Sequence, residues 1–286
     1  MENTAYRDQI AAWRRHVEAT LRGEHGWLAL AGLYWLRDGQ NTLGTGSDRH
    51  IVLPSASTPA HAGRIELRDA HTRLTLETGV TAMVGGRSVS EAELQPDTAT
   101  APTFFDLGRL RFVVVRRGER LGLRMWDPDN PDRRRFPGRI WFPVDERYRL
   151  AARFVPFDPP KPTRVVNILG DVESSTSPGR AVFELDGREL SLEVSSVDED
   201  GLFIAFSDST AAVSTYTSGR YLHVAGEVRD ELVLDFNRAY NPPCAFTPFA
   251  TCELPSPGNR LDFNIEAGER YAGSWRGAPD DDVHPG

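Results

Sequence analysis

The chain has 286 residues, of which 40% are hydrophobic and 26% charged, enough for one large or two small packed domains. Its formal charge is -8, with 41 acidic against 33 basic side chains, and an acidic surface repels phosphate backbones, so no nucleic-acid partner is expected. No stretch reaches the roughly 20 apolar residues of a membrane helix. Met1–Arg15 is polar and charged, without the apolar run of a secretory signal, so a cytoplasmic protein without membrane contact is expected.

Ile10, Trp13, Val17 and Leu21 recur at helical spacing, Asn3 or Thr4 can cap the start and Gly23 suits the end. One amphipathic helix follows. The apolar, aromatic segment Gly26–Leu36 is expected to pack that helix onto the first sheet. From Asn41 short alternating runs dominate: Ile51–Leu53, Arg64–Leu67, Arg73–Leu76, Thr81–Val84, Leu110–Val115 and Leu121–Met125 read as strands divided by turn residues such as Gly85-Gly86. Asp127–Gly138, with its aspartates, prolines and the run Arg133–Arg135, reads as a solvated domain junction.

Strands resume at Arg139–Phe142 and Arg149–Val155. Pro156–Pro162 holds four prolines and reads as a stiff connector or edge. Val165–Leu169, Ala181–Leu185, Glu189–Val194, Leu202–Phe206, Ser214–Tyr216, Tyr221–Ala225, Glu231–Asn237 and Leu261–Ile265 complete a second β region. Spacing near ten residues predicts sandwiches or barrels. The expected division is 1–127 for the helix and first β-sandwich, 128–138 for the junction, 139–275 for a C-terminal β domain, and a disordered acidic tail at 276–286.

Within the first half, Asn41-Thr42-Leu43-Gly44, Asp48-Arg49-His50-Ile51-Val52-Leu53, Ala60-His61-Ala62-Gly63-Arg64-Ile65 and Val84-Gly85-Gly86-Arg87-Ser88-Val89 resemble a divergent forkhead-associated sandwich. Such domains read phosphothreonine with an arginine after the first-strand glycine and a serine before the histidine. Here those places hold Thr45 and Pro59 or Ala60. The resemblance therefore implies a forkhead-associated-like β-sandwich and no phosphopeptide partner, with His61 a structural histidine at a strand start.

Tyr221–Asn237 reads as a hairpin. Pairing Ala225 with Glu231 across the Gly226–Asp230 turn sets Tyr221 opposite Asp235 and His223 opposite Val233. Residues 238–260 have no period and hold five prolines and both cysteines. That excludes a regular helix or central strand. Tyr240, Cys244, Phe246, Phe249, Cys252 and Leu254 supply apolar surface to bury, so an ordered loop folded back over the polar hairpin face is expected.

Gly219-Arg220-Tyr221-Leu222, Asp235-Phe236-Asn237, Ala239-Tyr240-Asn241-Pro242-Pro243-Cys244, Cys252, Asn259-Arg260-Leu261 and Ala267-Gly268-Glu269 resemble the signature of the bacterial domain-of-unknown-function family 1684. Gly26-Trp27-Leu28 and Gly32-Leu33-Tyr34-Trp35-Leu36 look like its N-terminal signature. The resemblance covers most of the chain and implies a β-rich protein of bacterial or archaeal source. It carries no activity over.

Three chemistries compete for the cysteines. Buried structural thiols, or a disulfide closing a short loop, come first. A zinc site would join Cys244 and Cys252 with His223 and an acid or water. A nucleophilic Cys244 would take His223 as base and Asp235 as orienter. The expected function is small-ligand binding between the C-terminal sheet and loop 238–260, with Arg220, Tyr221, Asp235, Asn237, Tyr240, Asn241 and Asn259 as lining and no cofactor. A hydrolase using Cys244 or a held metal, and a scaffold with no small ligand, are the alternatives.

Overall fold

The computed structural model describes residues 2–54, 58–199, 201–226, 230–271 and 273. The expected tail at 276–286 and most of the expected hairpin turn lie outside them. The chain is mostly β and divides into two compact units. Of the described residues, Arg22–Arg135 form one, and those up to Leu21 join those from Phe136 to 273 in the other.

Helix α1 (Glu2–Arg22) buries Ile10 and Leu21, two of the four apolar positions that predict it. Where the sequence groups it with the first sheet, its residues Tyr6, Trp13 and Arg14 make their contacts in the unit that begins at Phe136. The Tyr6 hydroxyl donates to Asp235 at 2.8 Å, Arg14 donates to the Phe142 carbonyl at 3.1 Å, and Trp13 meets Trp141 edge to face at 5.6 Å.

The unit of Arg22–Arg135 contains β1 (Leu30–Trp35), β2 (Gly39–Gly44), β3 (Ile51–Val52), β4 (Gly63–Arg68), β5 (His71–Leu76), β6 (Ala82–Val84), β7 (Arg87–Val89), β8 (Glu91–Leu94), β9 (Phe104–Leu107), β10 (Leu110–Arg117) and β11 (Arg120–Trp126). They form a six-stranded sheet in the order β1-β11-β10-β9-β6-β7 and a five-stranded sheet in the order β3-β2-β4-β5-β8. Leu43, Ile65 and Leu74 of one sheet share a core with Phe105, Phe112, Val114 and Leu123 of the other, as alternating inward residues of two facing sheets must. The Gly26–Leu36 segment is itself the strand β1 after a 3-10 turn at Trp27–Ala29. His61 is exposed, two residues ahead of β4. The junction is solvated at Asp129, Arg134 and Arg135 and anchored at both ends. Asp127 is buried and takes both arms of Arg109, and Arg133 donates to the Arg22 carbonyl.

The C-terminal unit contains β12 (Arg149–Val166), β13 (Val172–Leu185), β14 (Arg188–Glu193), β15 (Ser196–Asp198), β16 (Gly201–Phe206), β17 (Arg220–Ala225) and β18 (Glu231–Asp235). One sheet runs β14-β13-β12-β18 and the other β15-β16-β17. Phe183, Leu192 and Leu234 from the first meet Ile204, Phe206 and Leu222 from the second, with Phe236 between them. The proline segment 156–162 is not a connector. It lies inside β12, which continues beside β13 to Val166 with a register shift between Pro156 and Lys161. The turn beyond it is fastened to the long loop: Ile168 donates to the Cys252 carbonyl and Leu254 to the Val166 carbonyl, both at 2.8 Å.

Tyr221–Asn237 is not a hairpin. β17 pairs with β16 and β18 with β12, so His223 stands opposite Phe203 and Asp235 opposite Arg149. Arg139–Phe142, Ser214–Tyr216 and Leu261–Ile265 form no strands; they contribute isolated bridges or none, with Trp141 meeting Glu269 and Thr215 meeting Ala211.

Candidate functional site

A polar cleft of about 320 Å³ opens beside Asp235. Tyr6 and Gln9 of α1 form one wall. Arg149 at the start of β12, His223 in β17, Glu231 and Asp235 in β18, and Arg238 supply the other polar groups. The cleft shares Glu231, Leu232 and Val233 with a larger depression of about 660 Å³ over β12, β13 and β18.

Local structure aims these groups. Asp235 ends β18 and caps the 3-10 turn Phe236–Arg238, accepting the Asn237 N–H at 3.1 Å. The turn brings Arg238 back until its Nε lies 3.6 Å from the Asp235 carboxylate. Directly paired residues of an antiparallel ladder point to the same face, which sets Arg149 beside Asp235. The Arg149 guanidinium lies 5.5 Å from the Tyr6 ring centre. Burial, then the Asp235 carboxylate, raises the pKa of the Tyr6 hydroxyl, which stays a neutral donor.

Of the residues predicted as lining, the structure brings Asp235 into this cleft, and with it His223, the candidate base and metal ligand. The others mainly hold other parts of the domain. Arg220 is buried, bonded to Asp208 and to the carbonyls of Ile265 and Ala267. Tyr221 exchanges backbone bonds with Tyr240 and donates its hydroxyl to the Glu253 carbonyl at 2.9 Å. Asn237 accepts the Asp145 N–H and donates to the Asp145 carbonyl at 2.8 Å. Asn241 donates its side-chain amide to the Arg270 carbonyl at 3.0 Å. Asn259 accepts from Glu193 N and donates to the Glu193 and Ala205 carbonyls. These side chains fasten 238–260 into the domain, with Phe246, Ala250 and Cys252 buried beneath it. The loop is ordered and packed, and Arg238 is its one contribution to the cleft lining.

Two glycines explain how the signature closes. Gly219 has φ +90° and Gly268 φ +79°, the left-handed region that glycine enters freely. A Cβ on Gly268 would sit 2.5 Å from the Ala239 carbonyl oxygen. That close approach delivers Glu269, 1% exposed, to Arg139 and to the Asn241 N–H. Burial pushes the Glu269 carboxyl up to about 7 although Arg139 and the Asn241 N–H pull it down. A small cavity of about 100 Å³ adjoins this pair.

The cysteines lie outside the lining of the Asp235 cleft. Both are free. The Cys244 N–H donates to the Cys252 sulfur at 3.0 Å, and the neighbouring Cys252 and Tyr216 side chains lower the pKa of the Cys244 thiol. Among the described residues no group of three or more His, Cys, Asp and Glu side chains is placed to hold a metal ion. The sequence reading omits Tyr6, Arg149, Arg238 and Tyr216. Only Arg238 carries a signal, three residues after Asp235 across a turn; the other three reach their neighbours through the fold.

The architecture defines a mostly β protein whose C-terminal unit is closed by a packed signature loop. Residues 134–270 match the family described as "Protein of unknown function (DUF1684)". An uncharacterised protein of Haloarcula marismortui, solved by solution NMR, is 32% identical over 50% of this chain and 82% of that one, with a TM-score of 0.41. Residues 134–270 belong to the family of that description. The Rv0020c FHA structure also matches, at 20% identity over 33% of this chain and 95% of that one, with a TM-score of 0.23. No curated protein matches the chain. No helix among the described residues is long and apolar enough to cross a membrane.

Proposed function

We propose that this protein binds a small polar molecule bearing a carboxylate or similar anionic group in the cleft beside Asp235. The observation that carries the reading is the convergence of Arg149, Arg238 and His223 on one concave site. The Asp235 carboxylate there already accepts from Tyr6 and Asn237. Preformed concave sites with a few convergent polar groups are where small ligands bind. Arginine suits a carboxylate because its planar fork can donate two parallel hydrogen bonds. Leu202, Leu232 and Val233 give apolar surface for the remainder of such a ligand.

Titration calorimetry against a panel of small carboxylic acids tests this. A saturable signal is expected, and Arg238→Ala or Arg149→Ala weakens it by about tenfold, the value of one charge-assisted hydrogen bond. Binding that survives both substitutions would move the site elsewhere.

A further inference from the structure

The cleft leaves the cysteine pair without a role, and the pair is built asymmetrically. Pro242 and Pro243 lead into the 3-10 turn Pro243–Ala245, which holds Cys244 at its second position. Cys244 is half-buried, whereas Cys252 is 6% exposed. The Cys252 sulfur is fixed against the Cys244 N–H at 3.0 Å, which brings the two cysteines together across the loop. Tyr216 lies near enough to act on the Cys244 thiol electrostatically.

We infer that Cys244 and Cys252 form a hydroperoxide-responsive thiol pair, with Cys244 the attacking sulfur and Cys252 the resolving one. The Cys244 thiolate attacks the terminal peroxide oxygen and the O–O bond breaks. Cys244 becomes a sulfenic acid, and the leaving alkoxide or hydroxide takes a proton to give alcohol or water. The Cys252 sulfur then attacks the sulfenic sulfur. The S–S bond forms, the S–O bond breaks, and hydroxide leaves with the Cys252 proton as water. The two thiols are oxidised by two electrons and the peroxide is reduced by two. A dithiol reductant restores the pair by exchange.

The environments match the roles. Hydrogen bonding from Cys252, then from Tyr216 and the local backbone, lowers the Cys244 pKa against the cost of burial. Burial raises that of Cys252, which stays a thiol until its partner is oxidised. Thiolate character and access select which sulfur an oxidant reaches.

The test treats the full-length reduced protein with stoichiometric hydrogen peroxide and follows intact mass and non-reducing peptide maps. Loss of two hydrogens and a Cys244–Cys252 linked peptide are expected. Cys252→Ser is expected to trap dimedone at Cys244, Cys244→Ser to lose peroxide reactivity at Cys252, and Tyr216→Phe to slow oxidation several-fold with an unchanged circular dichroism spectrum. The wild-type experiment stands without any variant. Protein that stays reduced under peroxide that oxidises glutathione, or oxidation that begins at Cys252, overturns the inference.

Discussion

The Tyr6 hydroxyl and the Asp235 carboxylate meet at 2.8 Å although 229 positions separate them in sequence. The bond docks the first turns of the N-terminal helix onto the end of β18 and completes one wall of the cleft. A hydrogen bond to a charged acceptor contributes about 1.5–3 kcal/mol. Tyr6 is half-buried, which sets Tyr6→Phe at the lower end, about 1.5 kcal/mol. Urea unfolding of the two proteins measures it.

Arg220 and Asp208 are each 1% exposed. Removing one partner of a buried pair leaves the other charge without compensation, at a cost of about 3–5 kcal/mol. Arg220→Ala is expected to lose that much, together with the bonds to Ile265 and Ala267. Arg220→Met combined with Asp208→Asn orphans no charge and is expected to cost less than the single change. Chemical denaturation of the three proteins decides the order.

Glu269 gives stability a pH dependence of a definite sign. Its carboxyl is held at about 7 against an ordinary 4.5, so folding favours the protonated form. The stabilisation is fully present below 4.5 and is lost as pH rises to about 7. At ~1.4 kcal/mol per pH unit the loss is on the order of 3 kcal/mol. Glu269→Gln removes this slope whatever its effect on absolute stability. Melting curves from pH 4.5 to 8 compare the slopes, and parallel curves would contradict the assignment.

Gly268→Ala forces a Cβ to within 2.5 Å of one backbone oxygen and 2.6 Å of another, at Ala239 and Phe236. The strained conformation alone costs on the order of 1–3 kcal/mol, and the displaced carbonyls add to it. A fall in thermal midpoint of several degrees is expected for a domain of this size, with Gly273→Ala, where nothing lies within 4 Å of the added carbon, as the milder comparison.

Periodicity made the helix and most strands legible, because Ile10, Ile65, Leu74, Phe112, Leu222 and Leu234 all recur at the spacing of a buried face. It does not name a strand's partner. β17 and β18 carry the alternation of a hairpin, yet each pairs with another strand. The prolines of 156–162 left a connector and an edge open, and the fold takes the edge: beyond Arg153 strand β12 pairs, among the described strands, with β13 and no longer with β18, and an edge accepts residues that cannot donate. Packing of the long loop was legible from its aromatics. The roles of Asn237, Asn241 and Asn259 were not, because an asparagine that fastens backbone and one that faces a ligand look alike in sequence. The cleft joins Tyr6, Arg149 and Arg238, which only the tertiary fold assembles.

The fastening of the β12–β13 turn to the backbone around Cys252 makes that turn a remote gauge of the thiol. The Ile168 amide is held by the Cys252 carbonyl itself, so its hydrogen-exchange rate tracks local opening at the cysteine. Any chemistry that displaces Cys252 is expected to loosen protection at Ile168 and at Leu254, its counterpart in the same fastening. Two backbone amides would then record the state of a sulfur that carries no label.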